Sequence, residues 1–249
     1  MKTTLAILAV TAMKTGVCIA GVRPEAPSVW VRPRREFGSV ALGDITYPAH
    51  PASGGSSPSA PRRVMRPFDL VELSLGKARP DPPHVEDVTC DFVHARPRLL
   101  STVPEEKRTT LLDGAACTLE SVWREHTRSL GTLAAAALSA TFTHDTYTGK
   151  YEARVAFPGL SPDVSSVPVT DLKWRALGRR LLPGGHARED GGVRTLTLDE
   201  DGLREALGGV RAYWVVMGVS RAYNGQLWPL IVGIHTLPDY EADVDYSAL

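Results

Sequence analysis

Residues 84–94 read HVEDVTCDFVH. His84, Glu86, Asp87, Cys90, Asp91 and His94 gather imidazole, carboxylate and thiol groups in one short stretch. Such groups ligate metals, move protons or form buried ion pairs. Zinc needs about four ligands in a tetrahedron, usually supplied as two close pairs. As a strand, the stretch places His84, Glu86, Cys90 and His94 on one face. As a helix, it makes Cys90 and His94 neighbours one turn apart. Neither geometry gathers every ligand type. The chain has no CxxC, no HExxH and no second pair at a familiar spacing. No metal and no cofactor are expected. An acid–base hydrolase centred on His84, Glu86 and Asp87, with or without a metal, remains an alternative. The stronger reading is a polar connector leaving a strand. Its carboxylates would bond nearby backbone or pair with Arg96 and Arg98.

A second constellation is VWVRPRR at 29–35. Trp30 on a strand, followed by Arg32, Arg34 and Arg35, offers a stacking ring beside cations. Single-stranded nucleic acid binds such a surface, at about 1–3 kcal/mol per stacked base. RRVMR adds Arg62, Arg63 and Arg66. Arg221, Tyr223 and Trp228 repeat the combination near the end, and Trp174-Arg175 echoes it. The competing reading for any tryptophan is burial, and Trp214 is assigned to the core. Thr143-His144-Asp145 reads as turn residues. There is no serine-nucleophile elbow, kinase motif, dinucleotide fingerprint or phosphate-binding loop.

These side chains must be positioned by short strands. Residues 5–10 and 17–22 read as strands around a polar turn, which suits a hairpin better than a cleaved leader. SVWVRP at 28–33 is a strand that Pro33 should stop. FDLVELSL at 68–75 alternates, with Val71, Leu73 and Leu75 on one face. Residues 48–61 form a flexible Pro/Gly/Ser loop. PEEKRTTLLDG carries helix start and stop signals, and TLESVWREHTRSL is amphipathic at helical spacing. ATFTHDTYTGKYEARVAF reads as a hairpin, and TDLKWRALGRRLL as a helix with Thr170 as N-cap. TLTLDEDGLREALGG holds a strand and a short helix. The end returns to strands. LAVTAMKTGVCIAGV and VMGVSRAYNGQLWPLIVGI share a pattern of apolar strand, glycine turn and apolar strand, which suggests a duplication.

The 249 residues suit one large domain or two ordinary ones, and 43% hydrophobic with 22% charged is globular composition. The formal net charge is zero, so any anionic partner must be held by a local patch. Arginine outnumbers lysine 22 to 6, which favours bidentate contacts. Three scattered cysteines fit a reducing, cytoplasmic setting. No stretch approaches the roughly 20 apolar residues of a membrane helix, so no membrane partner is expected.

Cys18-Ile19-Ala20-Gly21, Trp30-Val31-Arg32-Pro33 and His84-Val85-Glu86-Asp87, in that order, resemble the dual OB-fold-containing domain family of bacteria. SLG at 129–131, VTDLKWR at 169–175 and GIHTLPDY at 233–240 extend the likeness over nearly the whole chain. The resemblance implies two OB-like barrels, an intracellular setting and nucleic-acid binding beside mobile-element or defence genes. It assigns no catalytic residue. The expected fold is therefore mainly β (α+β): a first small barrel over 1–103, a helical bridge over 104–135 and a second barrel over 136–249. The expected function is a non-enzymatic module for single-stranded nucleic acid or a nucleotide-like ligand. A protein-interaction adaptor with a partner encoded nearby is the other alternative.

Overall fold

The computed structural model describes residues 1–13, 15–48, 62–184 and 186–246. With 47% strand and 16% helix in several sheets, the protein is mainly β. It divides into two compact units, Met1–Thr132 and Leu133–Leu249. Apart from Pro48, the expected loop at 48–61 lies outside the described residues. No described helix is long and apolar enough to cross a membrane.

The first unit contains β1 (Lys2–Met13), β2 (Gly16–Arg23), β3 (Ala26–Arg34), β4 (Thr46–Pro48), β5 (Arg62–Val64), β6 (Asp69–Ala78), β7 (Asp87–Cys90), β8 (Arg98–Thr102) and α1 (Glu105–Gly114). β1 is the spine. Its first half pairs antiparallel with β6, from Lys2 opposite Ser74 to Ala6 opposite Leu70. Its second half pairs antiparallel with β2 across an irregularity after Ile7. A strand paired on both edges can be apolar throughout, and residues 5–11 are all buried. Leu5, Ile7 and Leu8 have no exposure, and each contributes about 1.5–3 kcal/mol by burial. β2 continues to β3. β3 then runs parallel to β7 with Arg32 opposite Asp87. β7 returns antiparallel to β6, which is already beside β1. The pairings therefore come back to their start, and β8 extends β6 on its outer side.

Pro33 does not stop β3, contrary to expectation. The pairing with β2 is recorded only as far as Val31. In the parallel ladder with β7, Arg32 donates its N–H to the Glu86 carbonyl. Pro33 faces the other way, so its missing donor costs nothing there. The alternation in β6 is as read: Val71, Leu73 and Leu75 are buried. α1 forms where its signals stand. The amphipathic stretch after it yields only one wide turn, Glu120–Arg124. α1 and this turn lie within the first unit, whose boundary falls after Thr132.

The second unit holds β9 (Leu130–Ala135), which straddles that boundary, then β10 (Ser139–Asp145), β11 (Tyr151–Ala156), β12 (Val167–Pro168), α2 (Leu172–Leu181), β13 (Arg188–Asp190), β14 (Val193–Leu198), α3 (Glu200–Ala206), β15 (Ala212–Val219) and β16 (Pro229–Leu237). One sheet runs β12-β11-β10-β14-β13 and another β16-β15-β9. A parallel bridge between Val169 and Ile231 links the β12 end to β16. α2 is capped by Asp171 rather than Thr170; its carboxylate accepts from Lys173 N at 2.8 Å. The same carboxylate accepts from Ile234 N at 2.8 Å, fixing helix and strand together. Gly178 lets α2 approach the sheet, because a Cβ there would strike the Phe142 ring and the Tyr151 hydroxyl.

The two stretches that suggested duplication do form hairpins, β1–β2 and β15–β16. They occupy different steps in the strand order of their units.

Candidate functional site

The connector from β6 to β7 is residues 79–86. Asp81 and His84 face each other across a tight turn, with His84 N donating to the Asp81 carbonyl at 2.8 Å. His84 and Glu86 are buried, and Asp87 has no exposure. Glu86 Oε1 accepts from Ser129 N at 2.9 Å and Leu130 N at 3.2 Å, while Oε2 accepts from Ser129 Oγ at 2.7 Å. Asp87 Oδ1 accepts from Arg32 Nε at 2.5 Å and Oδ2 from Arg34 Nη1 at 3.1 Å. A carboxylate with both oxygens committed is a poor general base, and these two fasten strands instead. The connector reading thus holds, with different partners: Arg98 pairs with Glu72, and Arg96 is exposed. Burial, with the Asp91 charge adding to it, pushes the Cys90 thiol up to about 12, too high for a nucleophile near neutral pH. Among the described residues, no group of three or more His, Cys, Asp or Glu could hold a metal.

The first arginine–aromatic group is corrected by its surroundings. Trp30 is only 4% exposed, and its indole N–H donates to the Ala115 carbonyl at 3.2 Å. It presents no open ring to a base. Arg32 and Arg34 are held by Asp87, and Arg35 by Asp44 at 2.6 Å. Arg63 pairs with buried Asp69, which also accepts from the Tyr47 hydroxyl and from Arg66 N. Arg62 is exposed and donates to the Thr46 carbonyl at 2.8 Å. The Arg66 residue is exposed. Asp87, Asp44 and Asp69 turn most of these cations into internal fastenings. Trp174 and Trp214 are also buried.

Arg221, Tyr223 and Trp228, by contrast, fall on one exposed hairpin between β15 and β16. Ser220 N donates to the Trp228 carbonyl at 2.9 Å, and Trp228 N donates to Ser220 Oγ at 2.9 Å. Tyr223 and Gln226 exchange both backbone hydrogen bonds, at 2.9 and 3.0 Å. Between them Asn224 has φ 51° and Gly225 φ 75°. Two successive positive φ values make the primed turn that Asn-Gly favours, because its twist matches the strands. Tyr223 is 71% exposed and Trp228 51%. Large rings are thus held in the open by a hydrogen-bonded turn.

A further aromatic was missed. Tyr147, in the turn between β10 and β11, is 83% exposed. Asp145 shapes that turn, its carboxylate accepting from Tyr147 N at 2.9 Å and from the Thr148 hydroxyl at 2.7 Å. An aromatic between turn residues was the signal.

Comparison with family models, with curated proteins and with solved structures gives no match.

Proposed function

We propose that the chain is a non-enzymatic binding protein of two OB-like units, which presents the β15–β16 hairpin to single-stranded nucleic acid. Strand order supports the architecture. An OB-fold is a five-stranded Greek-key barrel, and its ligands meet strands 2–3 and the loops after strands 1 and 4. In the first unit β1, β2, β3, β6 and β7 take the five places, with the third and fifth strands parallel. In the second, β9 with β10 forms the first strand, followed by β11, β12, β15 and β16, and the parallel bridge from Val169 to Ile231 falls between the same two places. The two ligand-facing loops of that unit are then 146–150 and 220–228, the loops with exposed Tyr147, Tyr223 and Trp228.

The observation that carries the reading is the pair of open rings on a hydrogen-bonded hairpin at that step. Bases stack on such rings with little regard to sequence, and Arg221 supplies a cation for the backbone. A hydrolase at His84, Glu86 and Asp87 draws no support from carboxylates already committed to backbone donors and arginines.

Fluorescence anisotropy with labelled oligo-dT and oligo-U at low salt tests this. Binding should weaken with added salt, because phosphate contacts release counterions. Trp228→Ala and Tyr223→Ala should each cost about 1–3 kcal/mol of affinity. No affinity for either oligonucleotide, or undiminished affinity in the double variant, would end the proposal.

A further inference from the structure

We propose that the first unit carries a site for a small phosphate monoester bearing a flat ring, a nucleoside monophosphate being the simplest. Arg35, Asp44, Arg62, Phe92, Val93 and Arg96 line a cavity of about 450 Å³. They come from separate places: the end of β3, the 3-10 turn Leu42–Ile45, the start of β5 and the segment after β7. Bringing three guanidinium groups around one hollow opposes their mutual repulsion. Asp44 neutralises one, since it pairs with Arg35. Among the described residues Arg62 donates to the Thr46 carbonyl and meets no carboxylate, and Arg96 is exposed and likewise meets none. Two positive charges are left over. A phosphate dianion matches that excess, and guanidinium forks bind its oxygens bidentately.

A second cavity of about 670 Å³ shares Arg35, Phe92 and Val93 with the first and adds Phe37, which is 84% exposed. Each of its acids already has partners. Glu36 pairs with Arg79 at 3.4 Å, and the Asp91 carboxylate accepts from Val93 N and His94 N. An elongated ligand therefore fits with its phosphate among the arginines and its ring against Phe37. Both volumes lie in the range of small-molecule sites.

The site owes nothing to the β15–β16 hairpin, so calorimetry should use the full chain carrying Tyr223→Ala and Trp228→Ala. Titrants are adenosine monophosphate, adenosine and inorganic phosphate at low salt. The monophosphate should bind about tenfold or more tightly than adenosine. Adding Arg62→Ala with Arg96→Ala should weaken it by about tenfold or more. Phe37→Ala should weaken the monophosphate and leave inorganic phosphate unchanged. These three side chains are exposed or edge-bound, so the thermal midpoint should hold and report an intact fold. Absent binding of the monophosphate, equal binding of adenosine, or indifference to the arginine double variant overturns the proposal.

Discussion

Between β6 and β7 the chain turns with its polar side chains inside; between β15 and β16 it turns with its aromatic side chains outside. Both loops join the fourth and fifth strands of their units in the proposed order. In the first, Glu86 and Asp87 clamp Ser129, Leu130, Arg32 and Arg34. In the second, backbone hydrogen bonds and an Asn-Gly turn suffice, and Tyr223 and Trp228 are left uncommitted to the core. One step in a fold can thus serve as a lock or as a display. Both turns carry backbone hydrogen bonds at their tips; what differs is where the flanking side chains go, inward to partners in the first and outward to solvent in the second. The third and fifth strands show a related contrast. Asp87 joins them through arginine side chains, whereas Asp171 reaches the backbone of Ile234 directly.

The sharpest test of the lock is Asp87→Ala. It would leave Arg32 buried without its partner, so urea unfolding should show a loss of about 3–5 kcal/mol. Trp228→Ala on the displaying loop should stay within about 0.5 kcal/mol. Similar losses at both positions would erase the distinction. Asp171 gives the next effect. Burial pushes its carboxyl up to about 6, against an ordinary value just below 4 in an unfolded chain. Its folded pKa is raised, so its stabilising contribution is complete below about pH 4 and is lost as pH rises through about 6. The change is about 3 kcal/mol. Asp171→Asn should flatten that part of the profile of stability against pH, and a variant with the original slope would assign it to another group. A smaller loss than at Asp87 or Asp171 is expected of Trp30→Phe, which removes one hydrogen bond to Ala115. Stability should fall by about 1 kcal/mol with oligonucleotide affinity unchanged; a drop in affinity would restore Trp30 as a ligand contact.

Much of the framework was legible because it is local. Alternation marked β6, start and stop signals marked α1, and the turn residues marked the hairpin of β10 and β11. The structural reading of HVEDVTCDFVH also rested on local reasoning, namely ligands that could not converge. The partners were not legible. Asp87 lies 55 residues from Arg32, and nothing in VWVRPRR announces Asp44 or Asp87 as its counter-charges. Trp30 beside arginines reads alike whether the ring is open or sealed under Ala115. Asp171, not Thr170, is the cap, and aspartate directly before a helix is at least as good a cap as threonine; its second task, accepting from Ile234 N, is what no window around the helix contains.

The returning pairings of the first unit bear on how the chain reaches its shape. Lys2 meets Ser74 and Arg32 meets Asp87. On a growing polypeptide neither meeting can occur until β6 and β7 have been synthesised. Until then the edge of β1 that meets β6 has no strand to pair with. Joining such distant segments must overcome loop-closure entropy before any contact rewards it. The slow event in folding should be this late joining rather than hairpin formation.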